Sequence, residues 1–279
     1  MKFYLYIVLR YTFVWVQTHG ICAQIDLGEG MVRRYAHLFS FRIFAGTMEQ
    51  LLEKTAEIAS EGAYAHITFV TAIRLLKAFL FEKHATPLRS AKLLIPQGRG
   101  MAWLARRFKQ APICPFAPSD VFMNILRDTI KHKQTLFFLG SKPNTIIAAV
   151  SNLRKSFPEL RILGAHHGYY MHKRSADITV AIRKAAPNFL FVGMGYPKQE
   201  QWVFENKKHV GACAVICVGN TLDLCAGKAK RGPVWMRQKH IEGFGKALVN
   251  PLRFFRAFWL IVLVFVVYWH KIFRKNTIP

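Results

Sequence analysis

The sequence predicts an α/β fold, with a mostly parallel sheet covered by helices on both faces, followed by a basic, apolar C-terminal helical appendage. Three observations predict it. Short apolar runs recur at 41–45, 65–70, 92–95, 135–139, 160–163, 189–192 and 212–218. Between them lie amphipathic stretches with helical spacing, such as Met48, Leu51, Leu52, Thr55, Ile58 and Ala59, or Val121, Ile125, Leu126 and Ile130. Glycine-bearing polar turns follow the apolar runs, as they do where strands feed helices. Strand alternating with helix implies parallel pairing and two covered faces.

Residues 1–39 are set apart as an N-terminal apolar extension. The run FYLYIVLRYTFVWV follows Lys2 and precedes small residues, as in a secretory signal, but Arg10 interrupts it. A membrane-surface segment, or an extension outside the fold, is the preferred reading. Residues 40–240 are the α/β domain. Within it Pro143 and Pro197 are read as first-turn prolines, where no amide donor is needed.

The turns carry the chemistry. Thr71 follows the second apolar run and Gln97-Gly98-Arg99-Gly100 the third. Gly140-Ser141-Lys142-Pro143 follows the fourth and His166-His167-Gly168-Tyr169 the fifth. The sixth ends in Gly193-Met194-Gly195-Tyr196-Pro197-Lys198-Gln199-Glu200, the seventh in Gly219-Asn220-Thr221-Leu222-Asp223. Ligands of such sheets bind beyond the carboxyl ends of the strands. Glycines there let a ligand approach the backbone, and helix N-termini offer free amides to anions. Together these turns point to a phosphate-bearing ligand.

Residues 241–279 form the appendage. The run AFWLIVLVFVVYW at 257–269 carries no charge; Arg253 and Arg256 precede it, and His270, Lys271, Arg274 and Lys275 follow. A spanning helix needs about 20 apolar residues, and aromatics at both edges suit the headgroup region. Membrane contact is expected, whether by spanning or by lying flat.

The formal net charge is +25 in 279 residues. So basic a surface attracts nucleic acid, acidic headgroups or phosphorylated small molecules. Nucleic acid is not expected, because no helix-turn-helix, zinc-finger or RRM signature is present. Cys213 and Cys217 share an apolar run and read as small buried hydrophobes, not zinc ligands, since no partner pair has ligand spacing.

The stretch FVGMGYPKQEQW followed by VGNTLDLCAGKAKRGPVWM resembles the paired blocks of the WecG/TagA/CpsF glycosyltransferases (glycosyltransferase family 26). FFLGSKPNTI and FPELRILGAHHGYY extend the similarity, which covers roughly residues 41–251. The resemblance implies a Rossmann-like, inverting, metal-independent transferase. It would move an N-acetylhexosamine-like sugar from a UDP donor to a polyprenyl-diphosphate-linked acceptor in envelope polysaccharide synthesis. It would work at the cytoplasmic face of the bacterial inner membrane, held there by its basic C-terminal part. No cofactor is expected, and a homo-oligomer is left open.

Two departures stand out. Where the family has an aspartate proposed as general base, this chain has Gln97, and a neutral amide cannot take up a proton at ordinary pH. The family's Thr-x-Asn aligns with Phe69-Val70-Thr71. Gln97 and Thr71 are therefore expected to orient the acceptor, with Asp120 as the alternative base and His166 or His167 as further candidates. Lys142, Gln199 and Arg231 are expected to hold donor groups, with Gly193, Gly195 and Gly219 beside them. Asp223 either caps a helix or binds a hydroxyl; Glu200 either caps its helix or joins the donor site. Trp202 and Trp235 read as core. A second reading keeps the binding and drops the turnover, giving a non-catalytic nucleotide-sugar or lipid-binding subunit.

Overall fold

The computed structural model describes residues 35–169, 175–228, 259, 261–266 and 269. Its strands are β1 (Tyr35–Leu38), β2 (Phe41–Phe44), β3 (Ala65–Val70), β4 (Leu93–Pro96), β5 (Thr135–Gly140), β6 (Arg161–His166), β7 (Phe189–Gly193) and β8 (Ala214–Cys217). They form one sheet in the order β1-β2-β4-β3-β8-β7-β5-β6, parallel throughout except for the β1–β2 hairpin. Strand β1 lies inside the stretch 1–39 set aside as an extension, so the sheet begins at Tyr35. Residues 1–34, Arg231, Trp235 and most of the appendage lie outside the described residues.

The helices are α1 (Met48–Ser60), α2 (Ala72–Leu80), α3 (Glu82–Arg89), α4 (Arg99–Arg107), α5 (Pro118–Lys131), α6 (Pro143–Ser156), α7 (Ser175–Ala185), α8 (Lys198–Glu205) and α9 (Thr221–Cys225). Local chemistry starts several of them. Thr47 and Gln50 form a reciprocal capping box on α1. Pro143 opens α6 as expected. Pro197 does not sit in a first turn; it is the N-cap of α8, after a cis Tyr196–Pro197 bond.

Alternation along the strands builds both faces. Ile67, Phe69, Ile95, Phe138, Phe191 and Ile216 point to one side, where α1, α5, α6 and α9 pack. Val70 and Leu94 meet α2, α3 and α4 on the other side, and Leu139, Val192, Val215 and Cys217 meet α7 and α8. Every residue of β3, β4, β7 and β8 is buried, as central parallel strands require. Cys213 and Cys217 are free thiols in that second face, and burial pushes both above the usual thiol range.

His66 is also sealed in this layer, its Nε2 3.5 Å from Cys217 Sγ. Burial pushes its pKa down to about 4. An unfolded histidine titrates near ~6.5, so the unfolded chain takes up the proton first as the solution is acidified. Its contribution to stability is therefore complete above pH ~6.5 and is lost as the pH falls toward ~4, by about 3 kcal/mol in all. Urea unfolding of the wild type and of His66→Gln across that window should show a slope that the variant lacks.

At the far end of the chain, Trp259, residues 261–266 and Trp269 are helical. Leu263 is fully buried against the α2–α4 layer, and Trp259, Val262 and Val266 pack beside it. Among the described residues no helix is long and apolar enough to cross a membrane.

Candidate functional site

The connections after β5 and β7 leave in opposite directions, to β6 and to β8, although the two strands are neighbours. A crevice opens at such a reversal. Its floor is the glycine pair Gly140 and Gly193, which face each other in register. A Cβ at Gly140 would stand 2.4 Å from the Gly193 carbonyl oxygen, where φ is +139°. A Cβ at Gly193 would meet Leu222 at 2.8 Å and the Gly219 carbonyl oxygen at 3.0 Å. Gly140 admits no side chain, and at Gly193 one would force Leu222 and the β8 loop to shift.

The loops above this floor are laced together. The Ser141 amide donates to the Gly193 carbonyl at 3.0 Å, and the Gly168 amide to the Ser141 carbonyl at 2.9 Å. The Ser141 hydroxyl donates to Asp223 Oδ1, joining the β5 and β8 loops. Gln199 is 1% exposed, and its Oε1 accepts from both the Gly195 and Gly219 amides at 3.1 Å. Its Nε2 donates to Glu200 Oε1 at 3.0 Å.

Glu200 carries the lacing across to β3. Its Oε1 also accepts from the Thr68 hydroxyl at 3.2 Å and lies 3.9 Å from Arg74. Arg74 donates to the Phe69 carbonyl at 3.1 Å and sits 4.5 Å over the Tyr196 ring. Burial, reinforced by Glu200 and opposed by Arg74, raises the Tyr196 phenol to about 12. Burial, then the charges of Lys83 and Lys77, holds His84 below its ordinary range. The Tyr196 phenol and His84 Nδ1 share a hydrogen bond of 3.0 Å.

The β4 loop joins the same edge. The Gln97 amide donates to the Val70 carbonyl at 2.8 Å, and a Cβ on Gly100 would meet Ala72 at 2.9 Å. Loops after β3, β4, β5, β6, β7 and β8 thus converge on one rim, with the N-termini of α2, α4, α6 and α8 directed at it. That rim can bind an anion through backbone amides and helix ends.

A model of the Glycosyl transferase WecG/TagA/CpsF family matches residues 36–277. The chain belongs to that family. Among relatives, it is 31% identical over 170 residues to the N-acetylglucosaminyldiphosphoundecaprenol N-acetyl-beta-D-mannosaminyltransferase of Bacillus subtilis (strain 168), covering 61% of this chain and 65% of the relative. The Staphylococcus aureus (strain NCTC 8325 / PS 47) protein of the same name is 27% identical over 207 residues, 73% of this chain and 80% of the relative. The match therefore spans a little under two thirds of the B. subtilis protein.

Within this family member the expected site residues separate into those that face the rim and those that build it. Thr71 is the N-cap of α2, its hydroxyl accepting from the Arg74 amide at 3.3 Å, and it neighbours half-buried Gln97 across β3 and β4. Asp120 is exposed in the first turn of α5, brought to the rim by the Phe116 amide's bond to the Pro96 carbonyl at 2.8 Å. Lys142 is exposed at the N-cap of α6. Gln199 and Glu200 are interior groups that hold loops. Pro197 has no amide for Glu200 to cap, and Glu200 turns inward instead. Asp223 lies in the first turn of α9 and receives Ser141. Trp202 packs in the core.

The two histidines named as further base candidates lie side by side: β6 ends at His166, and their rings are 4.4 Å apart. His166 Nδ1 bonds the His167 carbonyl at 2.7 Å. Ser141, Thr68, Arg74, His84 and Tyr196 join the site with no role assigned from sequence. A cleft of about 490 Å³ lies between α6 and β6, lined by Ile146, Val150, Arg154 and Ala165 and by none of the glycines of the rim. Among the described residues no three His, Cys, Asp or Glu side chains group closely enough to hold a metal ion.

Proposed function

We propose that the chain transfers an N-acetylhexosamine-like sugar from a UDP donor to a polyprenyl-diphosphate-linked acceptor in envelope polysaccharide synthesis. The observation that carries this reading is the rim itself, where glycine loops and helix N-termini meet at the sheet's reversal point. The relatives' names, which describe mannosaminyl transfer to a diphosphoundecaprenol-linked N-acetylglucosamine, support the substrate class.

The donor's diphosphate lies against the backbone of Gly193, Gly195 and Gly219, with Lys142 and Arg231 supplying charge and no metal required. Asp223 is placed to meet a sugar or ribose hydroxyl. Thr71 and Gln97 orient the acceptor hydroxyl, which attacks the anomeric carbon opposite the leaving UDP. The new C–O bond forms as the bond to UDP breaks, which inverts the centre. UDP keeps the electron pair, and the hydroxyl proton passes to Asp120 or to a rim histidine. The apolar, basic C-terminal region holds the protein peripherally at the cytoplasmic face of the bacterial inner membrane.

Gln97 favours a second reading, a nucleotide-sugar or lipid-binding subunit without turnover. The test is release of UDP from a UDP-N-acetylhexosamine in the presence of a short-chain polyprenyl-diphosphate N-acetylglucosamine. Acceptor-dependent release is expected. Binding of UDP or of the lipid-linked acceptor without release selects the second reading, and binding of neither rejects both.

A further inference from the structure

Three consecutive large apolar residues, Phe79, Leu80 and Phe81, stand 46%, 43% and 43% exposed where α2 turns into α3. Phe79 packs on Phe39, with centroids 5.0 Å apart, yet much of the run still faces outward, which is unusual for a solvent-facing surface. Ile261, Phe265 and Trp269 of the C-terminal helical residues are also exposed. The two groups form one surface. Phe81 meets Trp259 edge-on with centroids 6.0 Å apart, and Lys77 Nζ sits 4.6 Å over the same indole. Phe79, Phe265, Val266 and Trp269 line a cleft of about 300 Å³.

We propose that the α2–α3 elbow, residues 79–81, is a membrane-inserting element of the α/β domain, entering an anionic bilayer interface beside the outward face of the C-terminal helical residues. Aromatic side chains flanked by lysines are the composition that the headgroup region accepts. Lys77 and exposed Lys83 bracket the elbow. A second copy of a +25 chain would bring like charges together at this patch, whereas an anionic leaflet attracts them. Phe81 also lies against His84, with centroids 6.3 Å apart, and His84 bonds Tyr196. Insertion would therefore link the bilayer interface, through His84 and Tyr196, to the loop after β7, on the side where a polyprenyl diphosphate would approach. The inference rests on the peripheral-membrane reading but assigns a different part of the chain to it.

The test is co-sedimentation of the full chain with vesicles of phosphatidylglycerol and phosphatidylcholine. Leu80→Glu and Phe79→Ser should each weaken partitioning by about tenfold or more. Ile147→Ser, an exposed apolar residue on α6, should bind as the wild type does. Hydrogen exchange of the wild-type chain, which needs no variant to fold, should slow at residues 78–84 when vesicles are added. Elbow variants that bind normally, or exchange unchanged by vesicles, overturn the proposal while leaving C-terminal association standing. A wild type that binds no vesicle removes the peripheral reading and the elbow with it. Variants that dissociate a dimer in sedimentation velocity yet bind vesicles normally would assign the patch to self-association instead.

Discussion

Gln97→Asp is expected to raise the rate of sugar transfer by about 10²–10⁴-fold, the range that general-base assistance supplies. The position is ready for a carboxylate. The Gln97 backbone is fixed by its amide bond to the Val70 carbonyl, and Thr71 stands alongside at the end of the neighbouring strand. The N-termini of α2 and α4 flank the site, and their partial positive charge favours an ionised acid. An amide can orient a hydroxyl but cannot hold its proton. The check is kcat for both proteins across pH, where the variant's rate should exceed the wild type's at neutral pH and that excess should disappear as the new carboxylate is protonated. An unchanged or lower rate would mean that proton removal at this position is not what limits transfer.

The second large effect belongs to Gln199. Replacing it with Leu keeps the volume and deletes the acceptor shared by the Gly195 and Gly219 amides. An amide buried without a partner costs about 1–3 kcal/mol, and the Gly195 and Gly219 amides are part-buried. Gln199→Leu should therefore lose up to about 2–6 kcal/mol of stability and, as the two loops separate, most of its affinity for UDP. Gln199→Glu should fall between, because its carboxylate still accepts both amides but faces Glu200 where the amide had donated. Urea unfolding and UDP titration of the three proteins would check this. Full stability in Gln199→Leu would show that the loops hold each other without the clamp.

Much of this was legible in the sequence, for physical reasons. Central parallel strands are buried on both sides, so they appear as unbroken apolar runs, and β3 spans 65–70 as expected. Strand-to-helix turns need glycine where backbones approach, which placed the rim. Strand β1 was missed because its hairpin turn, Phe39-Ser40, carries neither Asn nor Gly. Both residues adopt positive φ, 50° and 67°, held there in part by Phe39 packing on Phe79 and Phe108. The inward direction of Gln199 and Glu200 was hidden because periodicity gives a face but not the partner across it. Arg74 and His84 lie more than 100 residues before Tyr196, so no local pattern could pair them.

The central claim is that one rim of glycine loops cradles a nucleotide's phosphates. A crystal structure of the full chain grown with UDP tests it most directly. The account predicts the diphosphate over Gly140 and Gly193, within hydrogen-bond reach of the backbone amides of the loops after β5, β7 or β8. UDP bound in the cleft between α6 and β6, or on any other face of the sheet, would contradict it.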